Sequence, residues 1–262
     1  MKPTVVMKKI LLIVGILASM AIAHVVFAQT SEGVITYESR FNAWKGVPPE
    51  RLEAVKARVP EYIISKAELF YNGTETMYKP VVEAEEDAQF RTSGGGPGGG
   101  GFRFRMMGGG DIEIYVNHVD QIRLSQQEFN GKKYLITDTI QITPWKFGAE
   151  TKSILGFTCK QAFYKDEERK MEVVAWYTDK LGMLMGPEMY GSLPGVILAL
   201  DVNNGERTMV ALSVVNKKLG KNDIKAPSGG TPISGEDFRA MVREEMQKRG
   251  ANGPGRTVII GN

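Results

Sequence analysis

Three Asn-Gly pairs, Asn72-Gly73, Asn130-Gly131 and Asn204-Gly205, each stand between segments in which apolar and polar residues alternate. Asn-Gly readily takes the positive φ of a tight hairpin turn, and a connection that short joins only antiparallel neighbours. This constrains the chain to an antiparallel meander. Ala67, Leu69 and Tyr71 share one face of the strand entering the first turn. Ile122 and Leu124 lead to Tyr134 and Ile136 across the second, and residues 198–202 lead to 208–214 across the third. A further hairpin is expected from residues 151–164 to 170–178 across Asp166-Glu167, and a first short strand over residues 34–40.

Two stretches break the alternation with helical character. Residues 48–62 hold a charged, helix-prone stretch that begins just after Pro48-Pro49 and is interrupted at Pro60. Residues 234–248 place Phe238, Met241, Val242 and Met246 at helical spacing, which predicts an amphipathic helix laid on the sheet. The fold class expected is α+β, mainly antiparallel β: a curved meander sheet with one or two helices. Residues 93–110 hold eight consecutive Gly or Pro residues followed by Phe102-Arg103-Phe104-Arg105-Met106-Met107, without the lysine and hydroxyl that follow a phosphate-binding loop. They read as a flexible insertion.

The N-terminus carries Lys2, Lys8 and Lys9, an apolar run from Ile10 to Phe27, and small residues at Val26 and Ala28, the pattern of a signal peptide over residues 1–28. Translation starting at Met7 gives the same pattern, and an uncleaved anchor is the alternative. The expected organisation is a signal peptide (1–28), a single β-rich domain (29–227) and a C-terminal helix and tail (228–262). The mature chain is then periplasmic or secreted, with no stable membrane span. Cleavage also removes the net charge of +3, leaving 30 basic and 30 acidic residues. A neutral chain lacks the basic field that nucleic acid demands.

The same cleavage removes His24, so that His118 is the one imidazole left, and Cys159 is the one thiol. No disulfide can close within the chain, and a lone cysteine of an exported protein is expected to be buried. No nucleophile elbow, metalloprotease helix or Cys-x-x-Cys pair occurs. His118, between two apparent strands, reads as a turn or edge residue. Met183, Met185 and Met189 form the one soft-ligand constellation, of the kind that suits Cu(I), with Met106, Met107, His118 and Cys159 as possible neighbours. The same methionines would equally fill irregular apolar gaps. Gly186-Pro187 and Pro194-Gly195 fix two turns ahead of an apolar strand over residues 196–200, and make residues 183–192 a constrained loop.

Trp145-Lys146-Phe147, the run from Thr151 to Ala162 around Cys159, Ala175-Trp176-Tyr177-Thr178, Gly186-Pro187 and Gly191-Ser192-Leu193-Pro194-Gly195-Val196-Ile197-Leu198 follow one another in order. Leu69-Phe70-Tyr71-Asn72 and Tyr78-Lys79-Pro80 precede them. This series resembles the GLPGLI family of exported Bacteroidetes proteins over residues 34–219, with Ser192 where the family has its first glycine and Val196 in place of leucine. The resemblance implies export and an envelope location and brings no activity with it. A looser similarity to the periplasmic lipoprotein-carrier fold, a half-barrel sheet around an apolar cavity, rests on Trp176-Tyr177-Thr178-Asp179 and the hairpin over residues 196–214.

These features lead to the expectation of a non-enzymatic binding or accessory protein without cofactor, partnered by an apolar ligand or an outer-membrane protein through the loop from Gly186 to Ile197. The alternatives are a Cu(I)-handling protein and a hydrolase built on carboxylates.

Overall fold

The computed structural model describes residues 32–81, 112–167 and 170–251. The chain divides into Met1–Ser31, which lies outside the described residues, and Glu32–Asn262. The expected signal segment, the Gly-rich insertion and the end of the tail lie outside the described residues. No helix among the described residues is long and apolar enough to cross a membrane.

The elements in chain order are β1 (Gly33–Asn42), α1 (Pro49–Lys56), β2 (Tyr62–Tyr71), β3 (Glu75–Pro80), β4 (Ile114–Asn117), β5 (Ile122–Phe129) and β6 (Lys132–Thr139). There follow β7 (Lys146–Ile154), β8 (Phe157–Asp166), β9 (Met171–Thr178), β10 (Val196–Val202), β11 (Arg207–Asn216), β12 (Thr231–Ser234) and α2 (Gly235–Ala251). All twelve strands belong to one sheet, in the order β12-β6-β5-β4-β3-β2-β1-β11-β10-β9-β8-β7. The fold is α+β, dominated by antiparallel pairing. Two meanders meet at its centre, where β1 pairs with β11 from Gly33↔Asn216 to Phe41↔Arg207.

The turn chemistry differs at each predicted site. Asn130 (φ 52°) and Gly131 (φ 75°) make the two-residue turn that Asn-Gly favours. At Asn72 the carboxamide oxygen accepts the Thr74 and Glu75 amides at 3.2 and 2.9 Å, giving a longer turn closed by a side chain. Leu155 (φ 51°) and Gly156 (φ 82°) form a turn that the sequence reading ran through, so the expected strand over residues 151–164 is two strands, β7 and β8. A leucine rarely adopts positive φ, which is why the sequence conceals it.

Ten strand spacings separate β6 from β7 in the sheet order, about 48 Å across a flat sheet at ~4.8 Å each. Only residues 140–145 connect them, a reach of about 25 Å at full extension. The sheet therefore curls. Residues 179–195, between β9 and β10, extend across its face toward the β2–β3 turn and bury Met183, Met185 and Leu193. Met183 and Met185 pack with Ile35, Tyr37, Leu69, Tyr71, Val196 and Leu198. Leu193 packs in a second cluster with Ile197, Leu200 and Met209, so that β10 is covered on both sides. Each of Val196, Ile197, Leu198 and Leu200 is at most 2% exposed and contributes about 1.5–3 kcal/mol by burial.

At one edge α2 lays Phe238 and Val242 on Phe129 and Ile136. Its start is fixed by Ser234, whose hydroxyl oxygen accepts the Asp237 amide at 3.0 Å and donates to the Asp237 carboxylate at 2.7 Å. The preceding β12 runs parallel to β6, the one departure from an antiparallel sheet among the described residues.

Candidate functional site

Three connections converge at one end of the sheet: the β2–β3 turn, the β4–β5 turn and the start of the β9–β10 connection. Between them lies a cavity of about 240 Å³ lined by Tyr71, Gly73, Glu75, Thr76, His118, Gln121 and the run Gly182-Met183-Leu184-Met185. Its floor is apolar, because the buried thioethers of Met183 and Met185 stand beside the buried ring of Tyr71. Thr76, His118 and Gln121 stand around it, while the Glu75 carboxylate, bonded to Tyr115, lies on the opposite face of β3 from Thr76.

Each polar group is set by local structure. Glu75 opens β3, where one carboxylate oxygen accepts the Tyr115 hydroxyl and the other the Asn72 amide group at 3.1 Å. Burial and that hydrogen bond to Glu75 push the Tyr115 phenol up to about 12, so it stays a donor. The His118 backbone amide donates to Thr74 O at 2.9 Å and ties the second turn to the first. Burial lowers the His118 pKa, which keeps the imidazole neutral at neutral pH. Gln121, at φ 55°, donates its side-chain amide to His118 O. The Tyr71 hydroxyl donates to Asn216 Oδ1 at 2.9 Å.

The third connection is held more firmly. Ile197 N donates to Met185 O at 2.9 Å and the Trp145 indole to Gly191 O at 2.8 Å. Glu188 and Arg207 form a two-pronged ion pair, with side chains 17% and 11% exposed, and Arg207 Nε also donates to Ser39 Oγ at 3.2 Å. Burial opposes the Arg207 charge, but the Glu188 carboxylate outweighs it and raises the guanidinium pKa. Glycine is required at Gly195: with φ at 156°, an added Cβ would lie 2.2 Å from Thr178 O. At Gly186 an added Cβ would meet Tyr190 O at 2.6 Å.

The predicted site residues are partly gathered here. Met183, Met185 and His118 line the cavity, whereas Met189 is 59% exposed and does not. Met106 and Met107 lie outside the described residues. Gly186 and Pro187 are buried, Leu193, Gly195, Val196 and Ile197 are packed into the core, and Gly191, Ser192 and Pro194 form the accessible part of the corner. Cys159 is buried with its thiol directed to Phe157 O at 3.6 Å. Tyr177 is buried, Trp145 and Trp176 are half-buried, and Lys152 Nζ sits 4.2 Å from the Trp176 ring centroid. No group of three His, Cys, Asp or Glu among the described residues is placed to hold a metal ion. Tyr71, Glu75, Thr76 and Gln121 were missed, although their nearness to turn residues was readable.

The profile of the N-glycanase peptide, N-terminal domain, matches residues 112–229. Two solved structures of PNGF-II, in space groups C2 and P21, superpose on 81% of this chain with TM-scores of 0.52 and 0.51 at 16% and 17% identity. The fold resembles part of PNGF-II. The chain spans about a third of the PNGF-II chains, which are covered over 33% of their length. No curated protein matches it.

These matches correct the expectations of family and function. The landmarks from Trp145 to Leu198 that carried most of the GLPGLI resemblance fall inside the region matched by the N-glycanase domain, and the resemblance is set aside. Two of its landmarks shape the corner: Trp145 clasps Gly191, and Gly195 makes room for Thr178 O. The expectation of a non-enzymatic protein for an apolar ligand or outer-membrane partner is overturned with it, as is its Cu(I)-handling alternative. The similarity runs instead to a domain of N-glycanases. The curl expected of a carrier half-barrel is present, but residues 179–195 cross the face, and the cavity beside them has polar walls.

Proposed function

We propose that this chain acts on Asn-linked glycans, engaging the sugar at the cavity between the β2–β3, β4–β5 and β9–β10 connections. The match of residues 112–229 to the N-glycanase N-terminal domain carries this reading, because that stretch supplies His118, Gln121 and Gly182 to Met185. The cavity's chemistry agrees with it. Sugars offer hydroxyls on the ring's rim and C–H groups on its faces, which calls for a few convergent polar groups over an apolar surface. Thr76, His118 and Gln121 are the polar groups, and Met183, Leu184 and Met185 supply the surface.

The test is to titrate the chain with a glycopeptide carrying one neutral Asn-linked glycan and with the same peptide lacking it, following binding by calorimetry and glycan release by mass spectrometry. Heat or release confined to the glycosylated peptide supports the proposal. Identical behaviour of the two peptides refutes it.

A further inference from the structure

We propose that Phe147, standing on Tyr177 with the Lys160–Asp179 ion pair at its rim, is a second sugar-binding subsite beside the cavity, so that a glycan of several sugars engages both. The inference rests on the glycan reading above and adds to it a subsite outside the cavity. The strand register puts its parts on one face of the sheet. Phe147 pairs with Ala162 and Ala162 with Ala175, while Lys160, two residues from Ala162, pairs with Tyr177. Ala162 and Ala175 are small and fully buried, which lets the Phe147 ring reach across them to within 6.2 Å of the Tyr177 ring, centroid to centroid. Tyr177 is buried beneath, yet Phe147 stays 62% exposed, so most of the hydrophobic contribution of that ring is left for a ligand. Trp145, two positions earlier on the same face, continues the aromatic surface, its ring 6.1 Å from that of Tyr164.

The groups at the rim of the ring fit a sugar. Lys160 Nζ donates to Asp179 Oδ2 at 2.7 Å, and both side chains are exposed. That bond uses one of the three ammonium donors and one of about four acceptor positions of the carboxylate. A donor and an acceptor thus stand side by side at the edge of an apolar ring. Two neighbouring sugar hydroxyls satisfy that pairing while the C–H face of the sugar lies on the ring. An exposed ion pair contributes little to stability, so its partners turn to a ligand at little cost. An apolar peptide or a second copy of the chain would instead strip water from the pair without replacing its hydrogen bonds. Asp179 also joins the subsite to the cavity. It opens the single turn Asp179–Leu181, and Gly182, next in the chain, lines the cavity. Three residue steps span at most about 11 Å, a distance within the reach of a few linked sugars.

The experiment titrates two glycopeptides into the full chain by calorimetry: one peptide carrying a neutral Asn-linked glycan of several sugars, and the same peptide trimmed to the single sugar on its asparagine. The wild-type chain is expected to bind the long form about tenfold more tightly. Phe147→Ala should bring the long form to within about twofold of the short one and leave the affinity for the short form unchanged, and Lys160→Met should act in the same direction. NMR supplies a local readout: C–H protons of a sugar stacked on Phe147 move upfield in the wild-type complex and lose that shift in Phe147→Ala. Equal affinities of the two forms for the wild-type chain would overturn the proposal while leaving the glycan reading intact. So would a preference that persists in a Phe147→Ala variant whose melting curve matches wild type, or a dimer in sedimentation velocity that Phe147→Ala dissolves. Binding of neither form would instead overturn the glycan reading itself.

Discussion

Replacing Arg207 by methionine isolates what holds the β9–β10 connection against the sheet. Arg207 donates to Glu188 through both terminal nitrogens, one at 3.0 Å, and through Nε to Ser39 Oγ at 3.2 Å. With side chains 11% and 17% exposed, neither partner can exchange the pair for full hydration. Breaking a buried pair leaves one charge uncompensated and costs about 3–5 kcal/mol. The residual exposure of Glu188 argues for the lower end. A loss of about 3 kcal/mol corresponds to a fall in melting temperature of roughly 6–12 °C for a chain of this size. Glu188 also sits at φ 54°, a left-handed conformation that costs about 1 kcal/mol or more for a residue with a side chain, so the ion pair secures a strained corner. Removing both charges should be far gentler, because apolar side chains of similar size can replace a buried pair at little cost. The expected double-mutant cycle therefore has Arg207→Met and Glu188→Met each destabilising by about 3 kcal/mol and the double variant within about 1 kcal/mol of wild type. Urea unfolding of the four proteins measures it. A loss below about 1 kcal/mol in Arg207→Met, or single effects that simply add in the double variant, would refute the reasoning.

Two positive-φ positions in the same connection should respond in opposite directions. Ser192→Gly, at φ 64°, is expected to gain about 0.5–1 kcal/mol, and Gly195→Ala to lose at least about 2 kcal/mol against Thr178 O, both read from thermal melts. Because the folded state lowers the His118 pKa below 6.5, the unfolded chain binds more protons between the two values, so stability falls as pH drops through 6.5 toward the folded value. His118→Gln should flatten that part of the curve in urea midpoints taken from about pH 7.5 to 5; a parallel curve would contradict it. Cys159, with its thiol pKa raised by burial, should resist maleimide in the native protein and react fully in urea, as mass spectrometry would show.

The antiparallel plan was legible because its signals are local. Asn130-Gly131 announces its turn, alternation from Ala67 to Tyr71 assigns a face, and the spacing of Phe238 and Val242 assigns a helix stripe. What stayed hidden depends on tertiary context. Leu155 turns the chain against its own preference, and β12 pairs in parallel through a segment whose Pro232 argues against a strand. The candidate site was legible residue by residue but not as an assembly. His118 reads as a turn residue and Met183 and Met185 as loop methionines, which they are, yet nothing between positions 118 and 183 states that the two turns meet. Glu75 was invisible for a different reason. It is one of 30 acidic residues, and only its grip by Tyr115 and Asn72 sets it apart.

The curl of the sheet links the hidden parts. A connection as short as residues 140–145 is compatible with ten strand spacings only if the two ends of the sheet approach one another. Trp145, the last residue of that connection, then donates its indole N–H to Gly191 O, so the segment that draws the sheet round also grips the far part of the β9–β10 connection. Arg207 grips its middle through Glu188, and Ile197 holds Met185 by a backbone bond. Held at three points, the connection has to cross the sheet face rather than turn straight back. Its leading residues, Gly182 to Met185, are thereby delivered to the Asn72-Gly73 turn and become the floor of a cavity whose walls come from β3 and the β4–β5 turn. The polar side chains around the cavity are thus set by hairpin turns, while the apolar surface beside them is set by the curl of the whole sheet.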